Sequence, residues 1–507
     1  SITQSICKLE ALVHNDPSAI CMADGAIDPW FCFIMKMIDI RKCVDSLWLE
    51  ECTNQMYEAG IKNDKLAMIY EGNARNEVVI QTPVGITDRI SIPSIVMQGG
   101  VLGAPMCAIN IDNIGKDSIK NKEYLYKYKG EVDIPLLGMI DDGLLVTECG
   151  INSIEGNAFL NAHIEMNKLS MNENKSHKIH SGTASKYCPK LLVHDEKMIE
   201  SNAEKYLGDI ISKDGKNTLN IKSRTEKAMG SVSDIKNILK ELCLGQHHFT
   251  TAMILRESIF LSKILLNAET WHEITKENIK ELESANRMLI KRILEVPDST
   301  SSAALYLELG IIPIRFIIQA KRILYLHNLL HRPEREMIVK VLKMQEKKPS
   351  KGDWYSTVLT DLCEFGIDLT IDEIKKIKKR KMKMKVKESM KKLAFKYLSE
   401  EKVTKSKSKL EKLKYNDLSI QNYFKTDKIT SKKKIILFKA RTRMLNVSYN
   451  FGQKIKCRLC HIGEDNQEHL LDCLMIKLAS PEILSNTDAK YMDIFSNSIE
   501  KQSEIRN

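Results

Sequence analysis

The sequence predicts an α+β fold, and two regional patterns support this prediction. Residues 28–205 alternate short apolar runs with amphipathic stretches and turn residues, which indicates strands and helices together. From about 219 to 344, apolar residues recur at spacings of three and four with few glycines, which indicates helices. Residues 345–455 keep a helical pattern but are rich in lysine. The 507 residues are enough for about two to four domains.

Composition and charge limit the classes of function that this sequence can have. The formal charge is +11, and its excess lies between about 375 and 456, which indicates a polyanionic partner. The 13 cysteines are mostly dispersed, which favours a reducing intracellular compartment, nucleus and cytoplasm, over a disulfide framework. No apolar run is long enough for a transmembrane helix, so we expect no membrane partner. No signal peptide is predicted, and the missing initiator Met is expected of a fragment or a processed product.

The elements of the mixed region follow from local patterns. The run FCFIMKMIDI predicts a buried strand, and LWLEECTNQMYEA predicts an amphipathic helix ended by Gly60. Two apolar runs on either side of an acidic pair predict a β-hairpin at 135–147. The remaining predictions are a hairpin and two helices, at 76–82 with 89–95, at 101–114 and at 152–169.

Adjacent carboxylates stand at the tip of that apolar hairpin. Asp141 and Asp142, with Gly143, are predicted to form its turn. Neighbouring ionised carboxylates repel each other, so a cation is their expected partner. Asp39 ends the first strand about a hundred residues earlier and can face the turn across a sheet. Three carboxylates of this kind can hold two Mg²⁺ ions about 3.5–4 Å apart, as nucleotidyl transfer requires. The alternative is that Asp39 and Asp45 cap the helix that follows.

A glycine pair precedes a predicted helix in the segment Met97-Gln-Gly-Gly-Val-Leu-Gly-Ala-Pro105. Glycine lets a ligand approach the backbone closely, and a helix N-terminus suits phosphate or sugar contacts. A glycine pair before a helix is weak evidence by itself for a nucleotide contact.

Three cysteines and a histidine near the C-terminus have metal-ligand spacing. Cys457, Cys460, His469 and Cys473 give C-x2-C-x8-H-x3-C, which predicts a tetrahedral Zn²⁺ site. His469 and Cys473 are four apart, on one face of a predicted helix. His461 is a competing ligand that fits less well. With four protein ligands there is no open position for chemistry, so this zinc is predicted to be structural.

Lysine and arginine dominate residues 375–396. They make up 12 of these 22 residues, interleaved with Met, Val, Leu and Phe. Phosphate contacts from such a face would be sequence-independent and salt-dependent. A solvated helix face and a nuclear-localisation signal are equally compatible with the composition. The candidate nucleic-acid contacts are Lys378, Lys379, Arg380, Lys381, Lys383 and Lys385.

The ordered motifs together resemble the palm of a reverse transcriptase of non-LTR (LINE-type) retrotransposons, over roughly residues 28–475. The resemblance rests on five segments in order: Asp39-Ile-Arg-Lys-Cys-Val-Asp45, Gln98-Gly-Gly-Val-Leu-Gly103, Met139-Ile-Asp-Asp142, Asn172-Glu-Asn-Lys175 and Tyr206-Leu-Gly208. It implies that Asp39 and Asp141 ligate both metals, with Asp142 in support, and that Gln98 and Gly99 lie beside the incoming nucleotide. It also implies that Lys175 protonates the departing pyrophosphate, although a surface lysine is an equally good interpretation.

The resemblance also implies a domain order. A right-hand polymerase palm with partial fingers would occupy 1–205, and the primer grip and helical thumb 206–344. A basic helical connector at 345–455, a small zinc knuckle at 456–475 and a tail at 476–507 would follow. Tyr206, Leu207 and Gly208 would belong to the primer grip. The segment Glu269-Thr-Trp271 matches a short thumb signature, in which Trp271 is as well explained as a core residue as a nucleic-acid contact.

The activity implied is RNA-directed DNA synthesis from a primer 3′-hydroxyl, target-primed and dependent on two Mg²⁺ ions. Its partners would be template RNA, primer or target DNA and dNTPs, whereas the oligomeric state stays open. One alternative is a degenerate or domesticated copy that binds nucleic acid without polymerising. The other is a different palm polymerase, such as an intron maturase or an RNA-dependent RNA polymerase, against which the zinc knuckle argues.

Three features depart from the family pattern. Met139 stands where Tyr, Phe or Ala is usual, and Val44 stands where an aromatic side chain usually blocks the ribose 2′-hydroxyl. Only 38 residues precede Asp39, so most of the fingers region is expected to be missing from this sequence.

The residue at 44 generates a prediction about sugar selection. Val44→Phe is expected to lower ribonucleotide incorporation relative to deoxyribonucleotide incorporation, because the larger ring fills the space of a 2′-hydroxyl. Single-nucleotide extension with rNTP and dNTP measures the ratio. An unchanged ratio would refute the proposed role of this position.

Overall fold

The computed structural model describes most of the chain between residues 33 and 475. The described ranges are 33–41, 47–74, 77–91, 103–120, 122–139, 142–148, 151–167, 169–181, 198–242, 248–350, 352–405, 413–426, 429–445 and 447–475.

A five-stranded sheet forms the centre of the mixed region. Its strand order is β11-β10-β1-β9-β8. All neighbours are antiparallel except β10 and β11, which are parallel. The strands are β1 (Phe33–Asp39), β8 (Leu137–Met139), β9 (Asp142–Glu148), β10 (His177–Ser181) and β11 (Ile199–Glu200).

In the part of the chain that the structure describes, four two-stranded ribbons lie outside this sheet. They pair β2 with β5, β3 with β4, β6 with β7 and β12 with β13, all antiparallel. Their bounds are β2 (Glu77–Val78), β3 (Gln81–Thr82), β4 (Gly85–Ile86), β5 (Ile90–Ser91), β6 (Lys127–Tyr128), β7 (Val132–Asp133), β12 (Ala203–Tyr206) and β13 (Asp209–Ser212).

Helices account for most of the rest. Those among the strands are α1 (Leu49–Glu58), α2 (Asp64–Ala74), α3 (Gly103–Lys120) and α4 (Ile151–Met166), with a 3₁₀ turn at Lys122–Tyr124. Those that follow are α5 (Thr218–Glu241), α6 (His248–Leu255), a π-helical turn (Arg256–Leu261), α7 (Ser262–Ile264), α8 (Lys276–Leu294), α9 (Ser302–Leu309), α10 (Ile314–Leu330), α11 (Met337–Lys347), α12 (Trp354–Glu364), α13 (Ile371–Lys376), α14 (Lys379–Lys405), α15 (Asn422–Lys425), α16 (Ser431–Arg441), a 3₁₀ turn (Ser448–Phe451) and α17 (Gln467–Asp472).

The chain divides into two units. Among the described residues, the first unit holds those within 1–220, 270–273 and 332–357, and the second holds those within 221–269, 274–331 and 358–507. The sheet, α1–α4 and α11 belong to the first unit, and most of the other helices and the Cys/His segment belong to the second. The architecture is therefore mixed α/β, with its strands concentrated in the first unit.

The two faces of the sheet bury different clusters because side chains alternate along a strand. Ile38 of β1 lies with buried residues of α1, α3 and α4, among them Met56, Met106 and Leu160. Met37, one position earlier, lies in a second buried cluster with Leu144 of β9. Tyr206, Ile211, Val341 and Met344 join that second cluster. The hairpin β12–β13 and helix α11 therefore cover the sheet face opposite α1, α3 and α4.

The local sequence predictions hold for most elements of the first unit. Helix α1 ends at Glu58 with Ala59 as its C-cap, and Gly60 follows with φ +98°, as a glycine stop requires. One prediction was wrong: Asp142 and Gly143 are not turn residues, because both belong to β9 and pair with Met139 and Gly138. A Cβ at Gly143 would meet Ile38 at 3.5 Å, an ordinary contact distance, so this strand position does not require glycine.

A buried carboxylate organises the second unit. Glu308, fully buried on α9, accepts hydrogen bonds from Arg441 Nε (2.9 and 3.1 Å), Tyr415 Oη (2.7 Å) and Tyr423 Oη (2.8 Å). Each donor helps to offset the desolvation of the charge. The contact with Arg441 fixes helix α16 to the helical core of this unit.

The described residues contain no single helix that is both long and apolar enough to cross a membrane; one pair, Ser302–Leu309 with Ile314–Leu330, meets that test jointly but is bent by 56°.

Two helical glycines generate a matched stability prediction. A Cβ at Gly156 of α4 would lie 2.8 Å from Thr147 Cγ2 of β9, whereas a Cβ at Gly230 of α5 meets nothing within 4 Å. Gly156→Ala is therefore expected to destabilise by about 1–3 kcal/mol through overpacking. Gly230→Ala is expected to stabilise by up to about 1 kcal/mol, since alanine favours a helix. Urea unfolding of both variants measures the difference, and equal effects would contradict the packing of α4 on β9.

Candidate functional site

The register between β1 and β9 brings two acidic residues together. Asp39, the last residue of β1, pairs directly with Asp142, the first residue of β9. Residues opposed in an antiparallel pair point to the same face of the sheet. Asp39 and Asp142 share that face with the pair Met37 and Leu144, which occurs in the same register. The structure thus places both carboxylates on the face covered by the hairpin β12–β13.

A lysine and an asparagine approach Asp39 from the side of β1 that faces β10, opposite the side that pairs with β9. The β1–β10 register pairs Met37 with His177, and its continuation sets Lys175 opposite Asp39. Lys175 Nζ lies 3.9 Å from Asp39 Oδ1. Asn172 Nδ2 donates to Asp39 Oδ2 at 2.9 Å. The Asp39 side chain is 19% exposed, which leaves it accessible to a small cation.

The hairpin β12–β13 is tied to the strand beside the acids. Its turn residues Leu207 and Gly208 have φ of +47° and +92°, as a type I′ turn requires. The buried Tyr206 donates from Oη to the carbonyl oxygen of Leu137 at 3.1 Å. Burial raises the pKa of Tyr206, and the Asp142 carboxylate raises it further, so the hydroxyl stays a donor at neutral pH.

Four predicted site residues lie outside the described residues. They are Val44, Gln98, Gly99 and Asp141. Asp45, the alternative helix cap, lies outside them too. Asp39 itself does not cap α1, because the N-cap is Trp48 and makes no side-chain cap hydrogen bond.

The donor set at the acids suits a hard divalent cation. Asp39 and Asp142 supply carboxylate oxygens, which Mg²⁺ prefers to nitrogen or sulfur ligands. The Asp39–Asp142 pairing brings two such groups to one strand end.

The Cys/His segment folds into one cluster. The ligand atoms of Cys457, Cys460, His469 and Cys473 all lie within 4.8 Å of one another and could hold a metal ion. The two sulfurs of Cys457 and Cys473 are 3.9 Å apart. Two thiolates on a common tetrahedral Zn²⁺ lie about 3.8 Å apart, given Zn–S bonds of about 2.3 Å. His461 is exposed and outside the cluster, with φ +58°.

Backbone N–H groups lower the pKa of one thiol in the cluster, which favours the form that binds a metal. The N–H groups of Gly463 and Ile462, with a smaller effect from His469, lower the pKa of Cys460 to about 6. The thiolate, the form that binds metal, is therefore the main form of Cys460 at neutral pH. A Cβ on Gly463 would overlap the His469 ring, so only glycine fits there.

The knuckle is anchored to the helical unit at two points. Gln467 Nε2 donates to the carbonyl oxygen of Ala440 on α16 at 2.6 Å. The buried Asp465 accepts from Ser448 N at 2.9 Å and Ser448 Oγ at 2.6 Å. Burial raises the pKa of Asp465, but these hydrogen bonds and Arg458 outweigh it, and the net pKa is lowered.

Some of these residues were not found from the sequence. Asn172 belongs to the motif Asn172-Glu-Asn-Lys175, but the sequence indicates no role for it, because a polar loop residue gives no signal of the strand that it contacts. Gly463 likewise gives no signal without the position of the His469 ring. Asn466 precedes a short helical pattern and could have been identified as its N-cap, since its side chain accepts from His469 N. Trp271 is fully buried, which confirms its interpretation as a core residue.

Comparison with solved structures finds similarity to telomerases. Telomerase from Candida albicans, in complex with a fragment of telomeric RNA, shares 13% identity over 59% of this chain and 51% of that chain, with a TM-score of 0.33. Apo telomerase from Candida tropicalis shares 13% identity over 70% of this chain and 56% of that chain, with a TM-score of 0.31. The chain thus spans about half the length of these telomerases. TM-scores this low do not define a common fold.

No protein-family profile matches the chain, and no curated protein matches it.

The two neighbouring histidines generate a metal-binding prediction. His469→Ala is expected to lose the bound zinc, because Nε2 lies 3.1 Å from Cys460 Sγ inside the ligand cluster. His461→Ala, the matched control, is expected to keep it. The zinc content per chain after dialysis, measured by mass spectrometry, distinguishes the two variants. Loss of zinc from His461→Ala alone would reverse the ligand assignment.

Proposed function

We propose that the chain is an RNA-directed DNA polymerase of the non-LTR retrotransposon type. The observation that carries this proposal is the β1–β9 register, which pairs Asp39 with Asp142 on one sheet face. The quoted motifs place a third acid, Asp141, beside this pair in sequence. Two Mg²⁺ ions bound by these carboxylates would lower the pKa of a primer 3′-hydroxyl and neutralise charge on the departing pyrophosphate.

Each neighbouring residue has a task in this proposal. Lys175 carries an exposed ammonium group beside Asp39 and donates a proton to the departing pyrophosphate. The hairpin of Tyr206, Leu207 and Gly208 holds the primer end on the face that carries the acids. Gln98 and Gly99 contact the incoming nucleotide. Template RNA, target DNA and dNTPs are the partners, synthesis is target-primed, and the protein acts in the nucleus and cytoplasm.

Primer extension tests the proposed chemistry. Asp39→Ala and Asp141→Ala are each expected to reduce Mg²⁺-dependent extension of an RNA-templated DNA primer at least about a hundredfold, since each removes a metal ligand worth several kcal/mol. Glu173→Ala is the control, because it removes an exposed carboxylate close to Lys175 but off the strand ends. Extension that survives both aspartate substitutions would refute the metal assignment.

A second candidate is a protein that binds nucleic acid without polymerising, and the charge on helix α14 favours it. One side of α14 is buried at Met382, Val386, Ala394 and Leu398. This side packs on helices α9 and α10 of the same unit. Met384 is 61% exposed, so not every interleaved apolar residue belongs to the buried side.

The six basic residues predicted as nucleic-acid contacts all lie on the exposed surface of this segment. None of these six side chains forms an ion pair with another residue in the described part of the chain. Like charges three or four residues apart on a helix destabilise it. A polyanion would relieve that repulsion, so we propose that this basic surface binds the nucleic-acid backbone. In a polymerase it would hold template or target, and in a degenerate copy it would act alone.

Salt dependence tests the basic surface. The double variant Lys381→Gln and Lys385→Gln is expected to reduce the slope of log K against log salt for duplex binding by about 1.8, at about 0.9 per phosphate contact. The control removes two exposed lysines of α5, Lys222→Gln and Lys236→Gln. Equal slopes for the two double variants would show that α14 makes no specific contribution. Binding without any extension by the wild type would favour the second candidate.

A further inference from the structure

Asn172 holds Asp39 at two points. Its side-chain Nδ2 donates to Asp39 Oδ2 at 2.9 Å, and its backbone N–H donates to the main-chain oxygen of Asp39 at 2.8 Å. The loop around it is fixed to the end of β1, since Arg41 N donates to the oxygen of Ser170 at 2.8 Å and Ile40 forms a β-bridge with Met171. These backbone contacts therefore hold the amide of Asn172 next to the Asp39 carboxylate.

The two oxygens of the Asp39 carboxylate have different neighbours. Oδ2 accepts from Asn172, whereas Oδ1 lies 3.9 Å from Lys175 Nζ. A hydrogen bond to one oxygen restricts rotation of the carboxylate and leaves the second oxygen available to a cation. The amide is neutral, so it orients the group without competing electrostatically with a bound metal. Outer partners of metal ligands commonly act in this way.

We propose that Asn172 is a positioning residue for Asp39, and that the divalent-cation affinity of the Asp39–Asp142 pair depends on its amide. This inference rests on the proposed metal site at those two aspartates. Asn172 touches neither substrate nor metal in this role; it acts through the orientation of Asp39.

The same loop supplies a matched control. Asn172 and Asn174 both line a cavity of about 470 Å³, together with Arg41, Asn161 and Glu165. The Asn174 side chain is exposed and forms no hydrogen bond with any other residue that the structure describes. The two asparagines thus share residue type, loop and cavity, and differ in the contact with Asp39.

Direct measurement of Mn²⁺ binding tests the proposal without relying on catalysis. The free Mn²⁺ signal in electron paramagnetic resonance is titrated against the full chain, with the Cys/His cluster first saturated with Zn²⁺. Asp39→Ala defines the component of binding that belongs to the acidic site. Asn172→Leu, of similar size but without a donor, is expected to weaken that component about 10–100-fold. Asn174→Leu is expected to leave it unchanged.

The possible outcomes distinguish a failure of the Asn172 role from a failure of the proposed metal site on which that role depends. If Asp39→Ala binds Mn²⁺ as the wild type does, the metal site itself is refuted, and the role of Asn172 with it. If Asp39→Ala loses the component but Asn172→Leu and Asn172→Ala keep wild-type affinity, the positioning role is refuted and the metal site stands. Asn172→Ala is included in case the leucine variant misfolds. The affinities of both variants are compared with the wild type only if their thermal unfolding midpoints are unchanged.

Discussion

The antiparallel register of β1 with its two neighbours is the constraint on which the candidate active site depends. One register sets Asp39 opposite Asp142, and the other, continued past His177, sets Lys175 opposite the same residue. A slip of one residue would move each side chain to the other face of the sheet. The buried alternation of Met37 and Ile38 between two clusters opposes such a slip, so hydrophobic packing maintains the geometry of the acids.

The same packing determines what surrounds the acids. Tyr206 and Ile211 of the hairpin β12–β13 share a buried cluster with Met37 and Leu144. Burial therefore brings the proposed primer-holding hairpin to the acidic face, and the Tyr206 hydrogen bond to Leu137 ties the two together. The polar counterpart is Asn172, whose amide reaches Asp39 from the loop before β10.

The second unit connects the Cys/His cluster and the proposed basic surface through one buried charge. Glu308 holds Arg441 at the end of α16, and Ala440 of the same helix accepts from Gln467 of the knuckle. Helix α14 packs its apolar side on α9, the helix that carries Glu308. The Cys/His cluster and the proposed basic surface are thus both attached to the core built around this carboxylate.

The sequence by itself determined those features that local spacing encodes. The helical period, the strand runs and the Cys-Cys-His-Cys spacing are all properties of nearby residues, and the structure shows each of them. Tertiary structure alone decided that Asp142 belongs to a strand, that Trp271 is a core residue and that Asn172 contacts Asp39. Those facts depend on strand register and on contacts between residues far apart in the chain, for which local propensity carries no information.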